Sequence, residues 1–159
     1  LAGDEKHFKT KDYEDLFKMA KEKNIPFTIH AGEADNANSV LDAISFGAKR
    51  IGHGIRIIDD NDAINKVIKN NVALEVCPTS NFQTKAVEIY KNHPIKKLYK
   101  KGVLITVSTD NNTVSNTTLS LEYERLRSYF DFTDNDFLTF NINAINAAFI
   151  SDLEKKKYI

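Results

Sequence analysis

The sequence predicts an α/β fold built on a parallel sheet. Four short runs rich in apolar and β-branched residues, 25–30, 50–53, 72–77 and 103–108, alternate with longer stretches of helical period. Such alternation argues for parallel strands joined by crossovers. The residues that end or closely follow these runs, His30, His53, Cys77 and Asp110, lie 23, 24 and 33 residues apart, sensible lengths for one strand–helix unit each. A (β/α)8 barrel needs about 250 residues, and this chain has 159. Four units plus the tail of a fifth strand therefore make about half of a TIM-type barrel. Leu1-Ala2-Gly3-Asp4 reads as a strand end cut from something longer, so this is the C-terminal half, with the rest expected upstream.

Each element has a local cause. Thr10 is a candidate N-cap, and Tyr13, Leu16, Phe17 and Ala20 recur at helical spacing until Asn24. Residues 36–46 read as a helix with Val40, Leu41 and Ile44 inward, closed by Gly47. Residues 60–70 place Ile64, Val67 and Ile68 on one face. Pro78 ends the third strand, and 84–101, broken by Pro94, reads as two short helices closing at Gly102. The run 103–108 is the clearest strand, since nearly every residue is apolar or β-branched. Residues 119–130 read as a helix, Thr133 caps another through Phe149, and Ser151 starts a short last one. No Pro/Gly-rich linker or charge block divides the chain, so residues 1–159 form a single segment.

Composition narrows the function classes. The 22 basic and 22 acidic residues cancel, which leaves no electrostatic case for nucleic acid or an anionic membrane. No segment approaches the roughly 20 apolar residues of a membrane span, and a cytoplasmic setting is the default expectation. The single cysteine, Cys77, permits neither an internal disulfide nor a multi-cysteine zinc site. The serine-hydrolase elbow, the phosphate loop and the dinucleotide fingerprint are all missing from the sequence. So is the pairing of His-x-Glu with Pro-Cys-x-x-Cys used by cytidine-deaminase-type zinc enzymes.

Chemistry concentrates at the strand ends. His30-Ala31-Gly32-Glu33 sets an imidazole three residues before a carboxylate, with small residues between that let a ligand approach. An isolated histidine is more often a core residue, and a lone glutamate there would suit a helix N-terminus. Together they offer a metal ligand beside a carboxyl that can act as a general acid. His53 stands between Gly52 and Gly54, open to a bound water. Asp110 follows the strongest strand, as a metal-binding carboxylate or as the N-cap of the next segment. Glu75 lies inside an apolar strand and needs a partner, for which Arg50 is the candidate. Cys77 reads as a small buried hydrophobe, and His7 and His93 read as solvent-facing.

In this order, the segments Leu1-Ala2-Gly3-Asp4-Glu5, His30-Ala31-Gly32-Glu33, Arg50-Ile51-Gly52-His53-Gly54, Glu75-Val76-Cys77-Pro78-Thr79-Ser80-Asn81 and Ser108-Thr109-Asp110 resemble the adenosine deaminase family. These are metal-dependent purine aminohydrolases on a (β/α)8 barrel, and residues 111–119 look like the bacterial branch. The resemblance implies that His30 and Asp110 are Zn2+ ligands, that Glu33 protonates purine N1, and that His53 acts as base and orients the attacking water. It also implies that the Gly3 backbone hydrogen-bonds the purine ring of a small-molecule nucleoside, and that adenosine becomes inosine and ammonia.

Two departures stand out. The family's His-x-His zinc pair on the first barrel strand has no counterpart, because no two histidines here are spaced i, i+2. Many members carry an aspartate contacting purine N7 where this chain has Asn111, whose amide can still donate to N7. Adenine or another 6-aminopurine therefore stays open as substrate, as does a catalytically inactive half-barrel. Such a half is expected to self-associate through open edges at residues 1–3 and 103–108.

Overall fold

Four parallel strands form one sheet in the order β1-β2-β3-β4: Thr28–Ala31, Arg50–His53, Ala73–Val76 and Leu104–Val107. The computed structural model describes residues 4–159. The strand end expected at residues 1–3, and Gly3 with it, lies outside the described residues. Helices follow the chain as α1 (Glu14–Glu22), α2 (Ala37–Phe46), α3 (Asn61–Lys69), α4 (Pro78–Gln83), α5 (Ile95–Lys100), α6 (Asn112–Ser115), α7 (Leu119–Phe130), α8 (Asp134–Ala147) and α9 (Asp152–Lys155). A 3-10 turn, Thr10–Tyr13, precedes α1. No helix among the described residues is long and apolar enough to cross a membrane.

The strands separate two faces by their period of two. Ile29, Ile51, Leu74 and Ile105 are fully buried and pack with Val40 and Ala43 of α2, Ala63, Ile64 and Val67 of α3, and Ile95 and Leu98 of α5. Burying one such Ile or Leu side chain stabilises by roughly 1.5–3 kcal/mol. An exposed pair such as Lys66–Asp62, at 2.8 Å, contributes about 0–1 kcal/mol, so the apolar layer holds the helices to the sheet. The opposite face carries Thr28, His30, Glu75 and Thr106 and lines a cleft of about 400 Å³.

Local signals place most helix ends. The side chains of Asn36, Asp60, Thr118, Thr133 and Ser151 accept from the first turn of α2, α3, α7, α8 and α9. Thr10 does not cap: it is buried inside the 3-10 turn, whose cap is Lys9 with no side-chain bond. The helix expected from Thr84 instead spans Pro78–Gln83, and Thr84 is its last cap. Pro78 at the first helical position starts this helix as well as ending the strand. The segment 103–108 is expected to be an open edge, but α8 packs along β4 and Asn143 Nδ2 donates to the Ile105 carbonyl at 3.0 Å. A helix therefore meets that edge, a common way of protecting it.

Gly54 and Gly102 both hold left-handed backbone, φ +69° and +88°. A Cβ on Gly54 would sit 2.6 Å from Leu74 Cδ2, whereas one on Gly102 would meet nothing within 4 Å. Both alanine substitutions carry the backbone strain, about 1–2 kcal/mol. Gly54→Ala adds overpacking of about 1–3 kcal/mol. Urea unfolding should therefore show Gly54→Ala clearly less stable than Gly102→Ala. Equal losses would contradict the close approach of Leu74.

Candidate active site

The site is assembled by register. His30 of β1 pairs with Gly52 of β2, and Ala31 pairs with His53. The two imidazoles thus leave neighbouring strands at one end of the sheet, with ring centroids 4.6 Å apart at 66°. Glu33 follows β1 directly. Ligand atoms of His30, Glu33 and His53 all lie within 4.8 Å of one another. Asp110 lines the same cleft as His30 and His53 but stands at its exposed rim, outside that tight cluster. His53 and Asp110 have φ of +65° and +57°. Left-handed backbone at non-glycine residues is strained and concentrates at functional sites.

Glu5 builds the loop that carries Glu33, a part the motifs alone did not single out. Its carboxylate is buried. Oε1 accepts from Gly32 N and from Ser39 Oγ at 2.7 Å, and Oε2 accepts from the N–H groups of Glu33, Ala34 and Asp35 at 3.0, 2.7 and 3.1 Å. Burial works against its charge, but His30, Ser39 and these amides hold its carboxyl far below the ordinary range. Burial likewise opposes charge on His30. The carboxylates of Glu5, Glu33 and Asp110 outweigh it and raise that pKa.

Glu33 is held on one oxygen. Its Oε1 accepts from Asn81 Nδ2 at 2.6 Å and Thr84 Oγ1 at 3.1 Å, while Arg56 Nε donates to its backbone carbonyl at 3.0 Å. Asn81, in α4 and fully buried, also places Nδ2 3.0 Å from His53 Nδ1. Burial lowers the pKa of His53, partly offset by Glu33. His93 is not solvent-facing: it is 3% exposed, and burial pushes its pKa down to about 3. His93 is read as exposed because it opens a helix before Pro94, and no local pattern shows that α4 closes over it.

The remaining candidates divide. Ser80 Oγ donates to Asp110 Oδ2 at 2.7 Å. Asn111, rather than Asp110, caps α6: its side-chain oxygen accepts from Val114 N at 3.0 Å. That leaves the Asn111 amide NH2 as its donor. Glu75 pairs with Arg50 as expected, Oε1 to Nε 3.2 Å, and accepts from Thr28 Oγ1 at 2.8 Å. Cys77 is buried, and burial raises its thiol pKa, which makes it an inert thiol. His7 is exposed.

Two imidazoles and carboxylates converging on one cleft are the donor types that suit a divalent zinc-class cation. Of these, Glu33 Oε1, His53 Nδ1 and Asp110 Oδ2 already have hydrogen-bond partners, and His30 Nε2 stands 3.7 Å from carboxylate oxygens of Glu5 and Glu33. The Glu5 clamp has a signed pH dependence. Its folded pKa lies below the ordinary 4.5, so the stability it adds is complete above that value and is lost as pH falls below it. Glu5→Gln should destabilise at pH 7 by on the order of 3 kcal/mol, the scale of breaking a buried charged cluster. Denaturant midpoints should show this difference shrinking toward pH 3. A constant difference would contradict the clamp.

Comparison with known proteins identifies the family. The adenosine deaminase family model matches residues 1–159. Adenosine deaminase of Clostridium botulinum is 46% identical over 156 residues, which cover 98% of this chain and 46% of that protein. The enzyme of Lacticaseibacillus casei is 43% identical with the same coverage. This chain thus spans about half the length of the curated relatives it matches. Among solved structures, adenine deaminase from Arthrobacter aurescens superposes with a TM-score of 0.94 at 28% identity, over 99% of this chain and 48% of its own. The N6-methyl-AMP deaminase of Arabidopsis thaliana superposes at 0.78 with 26% identity, over 88% and 41%. The strand order, the clustered His30, Glu33 and His53, and a family match along the whole sequence lead to one conclusion: the chain belongs to the adenosine deaminase family.

Proposed function

We propose that this chain acts as the C-terminal half of a zinc-dependent hydrolase that converts adenosine and water to inosine and ammonia. The observation that carries the reading is the convergence of His30, Glu33 and His53 within 4.8 Å, with Asp110 in the same cleft. His30 and Asp110 would hold the metal. A zinc ion held there would supply Lewis-acid activation of the attacking water at neutral pH.

The chain's own groups do the rest. Glu33 donates a proton to purine N1, which makes C6 electrophilic. Oε2 is its oxygen with no hydrogen-bond donor among the described residues, since Oε1 accepts from Asn81 and Thr84, and it stands 3.7 Å from His30 Nε2. His53 directs the attacking water at C6. One of the water's protons passes to the C6 amino group, which leaves as ammonia as the C6–N bond breaks. The other restores the proton that Glu33 gave to N1, and the oxygen stays as the C6 carbonyl. The Gly3 backbone and the Asn111 amide contact the purine, Asn111 at N7. A purine nucleoside fits the net neutral chain better than a polyanion does.

A second reading, deamination of free adenine, draws support from Asn111 and from the Arthrobacter neighbour. The higher identity to adenosine deaminases, 46% against 28%, favours the nucleoside. The test joins this chain to the N-terminal portion of the Clostridium botulinum relative and assays both substrates with zinc. The reconstituted protein should release ammonia from adenosine faster than from adenine, and the reverse order would establish the second reading. Glu33→Gln should keep its metal and lose about 10²–10⁴-fold in kcat, the scale of one general acid. Near-normal turnover in that variant would remove Glu33 from the mechanism.

A further inference from the structure

A chain of hydrogen bonds runs from the backbone into the site, and its direction cannot be reversed. Ile95 N–H donates to Nδ1 of the buried His93 at 3.1 Å. A backbone amide only donates, so His93 Nδ1 carries no proton. The ring is neutral at pH 7 because burial lowers its pKa to about 3, so its proton is on Nε2. That N–H faces Asn81 Oδ1 at 3.2 Å. The contact fixes the Asn81 amide with its oxygen toward His93 and its NH2 toward the site. The two amide hydrogens then meet two acceptors, Glu33 Oε1 at 2.6 Å and His53 Nδ1 at 3.0 Å.

We propose that Asn81 and His93 are positioning residues: with its oxygen fixed on His93, the Asn81 amide offers a donor to His53 Nδ1 and so holds that ring as its Nε2–H tautomer. The amide nitrogen of Asn81 has no lone pair to offer, so His53 Nδ1 must accept. The other ring nitrogen then presents an N–H to the cleft. In this state His53 orients an oxygen by donating to it and does not take a proton at Nε2, so the base role implied by the resemblance gives way to the orienting one. Thr84 and Asn81 both donate to Glu33 Oε1, so the same amide that faces His53 also fixes the rotation of the Glu33 carboxyl group, whose Oε2 stands 3.7 Å from His30 Nε2. The consequence for turnover rests on the deaminase reading, whereas the tautomer itself does not.

The test is long-range proton–nitrogen NMR of the zinc-loaded reconstituted protein with labelled histidine. The spectrum separates protonated from unprotonated ring nitrogens without any assay of activity. His53 should show an unprotonated Nδ1 and a protonated Nε2. Asn81→Asp, an isosteric acceptor, should move the His53 proton to Nδ1. A wild-type His53 protonated at Nδ1, or an unchanged pattern in Asn81→Asp, would overturn the proposal. His93→Gln keeps a donor toward Asn81 and serves if Asn81→Asp does not fold. It should preserve the wild-type pattern and turnover, while His93→Leu should lose about 10–100-fold in kcat rather than in KM. Equal turnover in His93→Gln and His93→Leu would refute the relay.

Discussion

The flush parallel register of β1 and β2 is the constraint on which the site depends. Because side chains alternate along a strand, a one-residue slip would exchange its faces. The pairing of His30 with Gly52 and of Ala31 with His53 is enforced from the far side. There Ile29 and Ile51 are fully buried among the helices and would be driven into the polar cleft by a slip. The apolar layer thus sets the positions of the imidazoles without touching them. Gly52 opposite His30 contributes space, since it puts no side chain between β1 and the cleft.

The two ends of the sheet are built for different tasks. Where helices return to strands, Asn24, Gly47, Asn71 and Gly102 adopt left-handed backbone, the usual helix stop. Where strands leave for helices, Gly32, His53, Gly54 and Asp110 adopt it instead. At that end the positive φ carries the candidate site residues His53 and Asp110, and the strain is offset by dense hydrogen bonding. Glu5 gathers the amides after β1, Asn81 spans Glu33 and His53, and Ser80 holds Asp110. Residues 80 and 81 come from α4, so one short helix buttresses a proposed acid, a water-directing imidazole and a proposed metal ligand.

Local physics made much of this legible in the sequence. The strands, the helices starting near Asn36 and Asp60, the Gly47 stop and the helix capped by Thr133 follow from patterns a few residues long. The convergence of His30, Glu33 and His53 follows from strand ends brought together by parallel pairing. Long-range contacts hid the rest. Glu5 acts on a loop 27 to 30 residues away, which no spacing reveals. His93 is buried because α4 starts at Pro78 and reaches it from twelve residues upstream. Asn81 would have drawn notice only as a polar residue following the run 78–80, whose residues all turn out to be buried.

The central claim is that the ends of β1 and β4 hold a metal while Glu33 and His53 serve the reaction beside it. A crystal structure of the reconstituted protein grown with zinc, with the ion located by its anomalous scattering, tests this most directly. The account predicts a peak about 2.0–2.2 Å from an imidazole nitrogen of His30 and a carboxylate oxygen of Asp110, with Glu33 still bonded to Asn81. A peak ligated by Glu33 and His53, with Asp110 left outside its coordination sphere, would contradict it.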